Sequence, residues 1–271
     1  MNDGNLLPKP MQVTSVLLAV AERADIIVDF AKLTAAGGPA AGATRLWLEN
    51  RLVQTNGVGP DSSNTWGGGS WDGSSWDGYS WGSTSTSGLN APGNAANVLV
   101  EFRIGAAAAD ASVDPATITS FAPITMPPLA ASTVTRTFDF DQRNGQWTVN
   151  GQALSCDVVR FTIKRGSTET WILKGGRGWS HPIHGHFSEG RITKRNGVAI
   201  VDGNQDYSRK DVVRLGESDQ VEYVIKAADY VGVYPMHCHN VVHEDHAMML
   251  FHLNILFHRR IIPNLNTLGI Q

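Results

Sequence analysis

The chain has 271 residues, a formal net charge of −3, 17% charged residues and 28 glycines. Its length fits one large or two ordinary domains, and low charge with abundant glycine favours a turn-rich β protein over a helical one. The charge balance excludes a basic footprint for nucleic acid, and no apolar run approaches the roughly eighteen residues of a membrane span.

Met1-Asn2-Asp3 opens without a basic or an apolar leader region, so no signal peptide is expected in the chain as given. Residues 62–88 read SSNTWGGGSWDGSSWDGYSWGSTSTSG once the flanking Asp61 is set aside, with Trp66, Trp71, Trp76 and Trp81 recurring every five residues. Such a composition cannot build its own core, which predicts a long mobile insertion between two strands. The functional alternative is an adhesive arm for an aromatic or polymeric substrate or a neighbouring protein, because exposed Trp offers large contact area. Asp72 and Asp77 add only weak grounds for cation recruitment.

Val98, Val100, Phe102 and Ile104 alternate with Leu99, Glu101 and Arg103, the pattern of a half-buried strand. An apolar, Pro-rich stretch at 124–132 then marks a boundary, after which FDF, QWTV, VVRFTIK and TWILK begin a fresh set of strands. Val221, Tyr223 and Ile225 repeat the alternation. Asn-Gly pairs at 56–57, 144–145, 150–151 and 196–197 predict hairpin turns at or between such runs. Helical patterning is almost absent. The chain therefore reads as all-β, with one domain over 1–129 that carries the insertion at 62–88 and a second over 130–271.

The chemistry is concentrated in the second domain. His237-Cys238-His239, followed by His243 and Met248, sets two imidazoles, a thiolate and a thioether in one loop, with Cys238, His243 and Met248 evenly spaced by five. Two His, one Cys and a weak axial Met are the ligands of a blue-copper electron-transfer site. Strand alternation would turn Cys238 to one face and His237 and His239 to the other, wiring one site to a second. Upstream, His181-Pro182-Ile183-His184-Gly185-His186 repeats that logic. His184 and His186 share a face, and His181, offset by three, can point to the Cys238 side. His181, Cys238, His243 and Met248 complete a mononuclear site, which leaves His184, His186, His237 and His239 for a neighbouring cluster. A lone His-x-His pair suits a surface zinc scavenger and a lone Cys a small core residue; the two motifs together favour the metal reading.

At these residues the chain resembles the multicopper oxidases, whose last cupredoxin domain carries H-P-x-H-x-H and later H-C-H-x3-H-x4-M. YPMHCHNVVHEDHAMM, GRGWSHPIHGHF and, far upstream, LLAVAERADIIVDF are most similar to the bilirubin-oxidase-like bacterial branch. The resemblance implies cupredoxin-like Greek-key domains, with residues 130–271 as the complete last domain and residues 1–129 as part of the middle one. It implies a type 1 copper at His181, Cys238, His243 and Met248, a type 2 copper at His184, and a type 3 pair at His186, His237 and His239. It also implies a periplasmic or extracellular location. Electrons from a phenol, a tetrapyrrole pigment or a metal ion such as Mn(II) would enter at His181 or the edge of His243. They would pass from Cys238 through His237 and His239 to reduce O2 to water. Gly185 stands where the family usually has a larger apolar residue.

One departure is large. The family builds its trinuclear cluster from eight histidines, and residues 1–180 contain none. The other four are then expected on a partner chain or an N-terminal cupredoxin segment, so that this chain alone is inactive. A single-copper cupredoxin electron carrier and a catalytically inactive fragment are the alternatives.

The remaining candidates are weaker. Cys156 is the only other cysteine, so no internal disulfide framework exists beside a metal-bound Cys238. It reads as a buried free thiol, or as a partner for a cysteine elsewhere. His246 reads as a neighbour of the ligands or a surface residue, and His252 and His258 fall in the last strand and its exit. Glu244 and Asp245 either orient imidazoles by accepting their second N–H or form a solvated acidic pair.

Overall fold

The computed structural model describes residues 3–52, 98–106, 111–121, 132–176, 178–186 and 189–256. The insertion at 62–88, the Asn-Gly pair at 56–57, most of the boundary at 124–132, and His258 lie outside them.

The first part of the chain holds a short helix, α1 (Phe30–Thr34), and a ribbon of two antiparallel strands, β1 (Arg45–Glu49) and β2 (Val98–Arg103). Asp29 caps α1 by accepting from the Lys32 N–H. The strand expected at 98–104 is present, but its alternation does not produce a half-buried face. Leu99 is 63% and Val100 44% exposed. Phe30 of α1 packs against Phe102, with ring centroids 5.1 Å apart, but this short helix leaves Leu99 and Val100 uncovered.

From residue 132 the chain builds two sheets. Its strands are β3 (Ser132–Arg143), β4 (Gln146–Val149), β5 (Val159–Lys164), β6 (Thr168–Gly175), β7 (His181–Gly185), β8 (Gly190–Arg195) and β9 (Val198–Ala199). They continue as β10 (Arg209–Lys210), β11 (Val212–Leu215), β12 (Gln220–Lys226), β13 (Gly232–Cys238) and β14 (Met249–Ile255). One sheet runs β10-β8-β12-β6-β3-β4, with β9 paired to β8; the other runs β11-β7-β13-β14-β5. The pairs β3–β6 and β5–β14 are parallel and the rest antiparallel, so the chain crosses between sheets instead of meandering.

Local sequence explains the turns. Asn144 and Gly145, at φ 51° and 77°, join β3 to β4, and Asn196 and Gly197, at φ 50° and 79°, join β8 to β9. Two consecutive positive φ values are what a type I′ turn requires and what Asn-Gly tolerates. Packing explains the rest. A single core cluster combines Phe138, Trp171, Ile192, Tyr223 and Ile225 of the first sheet with Ile183, Met236, Cys238 and Leu250 of the second. Val221, Tyr223 and Ile225 face inward as their alternation predicts, at no more than 3% exposure.

The N-terminal segment is fastened to β10 and β11 by buried charge. Lys210 pairs with Asp3 at 3.3 Å and with Glu22 at 2.7 Å, and Arg214 pairs with Glu22 at 2.8 Å and with Asp206. Buried pairs add little net stability, but removing one partner strands a charge at a cost of about 3–5 kcal/mol, so the network fixes a single docking position. Cys156 differs from expectation: it is a free thiol, but an exposed one, because it sits in the turn between β4 and β5 instead of on a strand. Among the described residues no helix is long and apolar enough to cross a membrane.

Candidate metal centre

β7 and β13 are antiparallel neighbours, with His237 opposite His184 and Cys238 opposite Ile183. Directly opposed residues project from the same face of a sheet. Register therefore sorts the motif: Cys238, Ile183 and His181 take the core face, and His184 and His237 take the other.

On the core face, helix α2 (Val241–Asp245) carries His243. Asn240 caps it by accepting from the Val242 N–H. The Cys238 N–H donates to the Met248 carbonyl at 3.1 Å and the Met248 N–H to the His243 carbonyl at 2.9 Å, closing the loop so that Cys238, His243 and Met248 are drawn together. His181 Nδ1 and His243 Nδ1 stand 3.1 Å apart, and Cys238 Sγ lies 3.6 Å from the first and 3.4 Å from the second. All four residues are buried, at 1% exposure or less.

Burial also sets the charge states. It holds the His181 imidazole at a pKa of about 3, and burial with the neighbouring His181 holds His243 well below the usual range. Burial pushes the Cys238 thiol far up. All three groups are thus neutral on their own, and two imidazole nitrogens 3.1 Å apart can share only one proton. The arrangement suits a cation. Nitrogen and sulfur donors bound tetrahedrally at about 2.0 and 2.3 Å stand roughly 3.3–3.6 Å from one another, close to the spacing here. A bound metal would also reverse the thiol's preference, since a coordinating thiol is deprotonated outright. The donor set of two imidazoles, a thiolate and a thioether fits copper.

On the opposite face, His184, His186 and His237 each place a ring nitrogen within 4.8 Å of the others, and His186 Nε2 meets His237 Nε2 at 3.0 Å. His239 stands beside them, its ring centroid 4.9 Å from that of His237 and 5.6 Å from that of His184. Desolvation, with the neighbouring imidazoles, lowers the His186 pKa to about 4. Desolvation, against a hydrogen bond to the Cys238 carbonyl, lowers that of His237 to about 4.

The imidazoles are oriented from behind, as metal-binding histidines generally are. His184 Nδ1 donates to the Asp211 carbonyl at 2.9 Å, and His237 Nδ1 faces Glu244 Oε1 at 3.3 Å, with His239 Nδ1 3.9 Å from Oε2 of the same carboxylate. Of the two acidic residues considered from the sequence, Glu244 thus turns to the imidazoles and Asp245 is exposed. His246 is half-buried next to the ligand loop, and His252 is a fully buried core residue stacked on Phe161.

Two parts of the site left no signal in the sequence. Trp147 lies flat on His243, with centroids 3.7 Å apart and rings inclined by 22°, and half-buried Trp179 packs edge-on against both. The Asp211 carbonyl is main chain, which no side-chain motif reveals. The His181 and His243 rings are both buried, at 1% exposure or less. Gly185 leaves space: a Cβ there would meet only the Trp171 ring, at 3.8 Å.

Residues 126–254 match the family model described as multicopper oxidase. The bilirubin oxidase of Albifimbria verrucaria is 35% identical over 127 residues, covering 45% of this chain and 22% of that protein. The laccase of Haloferax volcanii is 34% identical over 161 residues, covering 56% of this chain and 28% of that protein. The chain thus spans about a quarter of the length of these curated relatives. The crystal structure of the McoA multicopper oxidase from Aquifex aeolicus aligns with 57% of this chain and 35% of that one, at a TM-score of 0.50 and 20% identity. The all-β cupredoxin-like fold is shared with it.

Proposed function

We propose that this chain, whose residues 126–254 match the multicopper oxidase family model and are similar to parts of a bilirubin oxidase and a laccase, provides a type 1 copper site and half of a trinuclear cluster. The observation that carries this reading is the convergence of His181 Nδ1, His243 Nδ1 and Cys238 Sγ within 3.1–3.6 Å in a fully buried pocket. Met248, buried in the same loop, would be the fourth ligand. His184 would hold a type 2 copper, and His186, His237 and His239 would hold a type 3 pair.

Copper at these two sites would supply one-electron oxidation of a small reducing substrate at the first and reduction of O2 to water at the second. The chain's own residues fix the conditions. Burial excludes water from the Cys238 pocket and keeps its imidazoles neutral, hence able to bind a cation. Cys238 is bonded through the backbone to both His237 and His239, so one dipeptide step joins the two sites on either side. Trp147 and Trp179 cover His243, so a donor at the surface meets Trp179 first. A phenol, a tetrapyrrole pigment or a metal ion is the reducing substrate, and the working environment is periplasmic or extracellular.

Residues 130–271 form the last cupredoxin domain and residues 1–129 belong to a middle one. The four further imidazoles come from outside these 271 residues, on a partner chain or an N-terminal cupredoxin segment, because residues 1–180 contain no histidine. That same absence favours a second reading, a single-copper electron carrier. Copper content separates the two: about four coppers per assembled unit supports the oxidase and about one the carrier. The site itself is tested by loading Cu(II) and recording the visible spectrum. An intense thiolate-to-copper band that Cys238→Ser abolishes supports the assignment, and a band that survives the substitution overturns it.

A further inference from the structure

Asp3 and His184 share one peptide unit. The amide joining Asp211 to Val212 donates its N–H to Asp3 Oδ2 at 3.3 Å, and its carbonyl accepts His184 Nδ1–H at 2.9 Å. A trans peptide is planar and points these two groups in opposite directions, so carboxylate, amide and imidazole form one hydrogen-bonded chain. A negative charge at the N–H end polarises the amide and makes its carbonyl a better acceptor.

The peptide is held on every side. Asp3 is completely buried, and its carboxylate also accepts the Arg23 N–H at 3.0 Å and pairs with Lys210 at 3.3 Å. Arg23 grips the Asp211 side chain through a two-pronged contact at 2.9 and 2.8 Å. The Gly185 N–H reaches the Asp211 carbonyl at 3.3 Å, beside the His184 bond. Segments far apart in sequence thus meet at a single carbonyl, and that carbonyl decides which nitrogen of His184 carries the proton.

We propose that Asp3, with Arg23 bracing Asp211, is a positioning residue for His184: the pair holds its imidazole as the Nδ1–H tautomer and leaves Nε2 free to bind a cation. This rests on the reading of His184 as a metal ligand. A carboxylate behind a ligand histidine raises the basicity of the opposite nitrogen, and loss of such a partner weakens metal binding by about 10–100-fold. Here the carboxylate acts at one remove, through a peptide group, so the lower end of that range applies.

Histidine 15N–1H correlation spectra of the metal-free full chain, followed by Cu(II) titration, test the proposal. The expected result is a downfield Nδ1 proton for His184 that moves upfield in Asp3→Asn, moves further or gives way to the Nε2–H form in Asp3→Ala, and also moves in Arg23→Gln. Cu(II) affinity at the imidazole group should fall by roughly tenfold in Asp3→Asn, while the absorption band that depends on Cys238 stays in place. Arg23→Gln removes a half-exposed side chain, so it remains informative even where Asp3→Ala does not fold. An unchanged His184 resonance and unchanged Cu(II) affinity in folded Asp3→Asn would overturn the inference and leave the copper reading standing. A wild-type chain whose imidazole group takes no Cu(II), but whose His184 resonance still follows Asp3, would overturn the copper reading and the cation-binding role with it, and leave standing only the control of the His184 tautomer by Asp3.

Discussion

His181 Nδ1 and His243 Nδ1 face each other across 3.1 Å in a pocket closed to water, with the Cys238 sulfur within 3.6 Å of both. β7, β13 and α2 each contribute one of the three groups.

Trp147 forms the floor under His243, so Trp147→Ala should open a cavity beside that imidazole. Truncating a buried Trp costs about 3–5 kcal/mol. Urea unfolding of the metal-free protein should show a loss of that size, with Trp147→Phe losing less because a ring still stacks on the imidazole. Equal loss in the two variants would mean that ring stacking contributes nothing.

Glu244 touches both His237 and His239 but neither His181 nor Cys238 in the geometry described. Glu244→Gln should therefore weaken metal binding at the imidazole group by about tenfold and leave the Cys238-dependent absorption unchanged. Parallel Cu(II) titrations followed by visible absorption and by magnetic resonance would separate the two sites.

His252 gives the fold a pH dependence that needs no metal. Burial lowers its pKa from 6.5 unfolded to about 4 folded. The unfolded chain thus binds the proton first, and stability falls as pH drops from about 6.5 toward 4. Between pH 7 and pH 5 this residue alone accounts for about 2 kcal/mol of lost stability. His252→Phe, which keeps the stack on Phe161, should lose about that much less than wild type over the same interval in denaturant titrations at the two pH values. An identical slope in both proteins would place the titration elsewhere.

Two glycines of this domain, Gly190 and Gly185, should respond in opposite ways. A Cβ on Gly190 would stand 2.4 Å from the Tyr223 ring and 2.7 Å from the Val224 carbonyl, whereas one on Gly185 meets only Trp171 at 3.8 Å. Gly190→Ala should destabilise by about 1–3 kcal/mol through overpacking. Gly185→Ala should be neutral or gain up to about 1 kcal/mol by restricting the unfolded chain. Thermal melts of the two variants would check the ranking.

Much of this site was legible because its logic is local. In a strand, neighbours point to opposite faces, and that period alone separates Cys238 from His237 and His239 and places His181 on the Cys238 side. The Asn-Gly turns at 144–145, 150–151 and 196–197 were equally readable, since a left-handed backbone at two successive positions is a property of the dipeptide itself. The grouping of His181, Cys238 and His243 could likewise be expected from the donor chemistry of nitrogen and sulfur.

Only the tertiary structure decided the rest, because it depends on contacts between distant segments that leave no local pattern. QWTV reads as a strand whether or not Trp147 covers a histidine, and Cys156 reads as a core thiol until the turn that exposes it is seen. The strand at 98–103 was correctly placed by its alternation, yet alternation cannot say whether another layer will cover it. The bond from Asp3 to His184 runs through a main-chain amide, and every residue has one. Sequence fixes which atoms can bind a metal by their chemistry and period; which carbonyl, ring or carboxylate stands behind them is settled by how the whole chain packs.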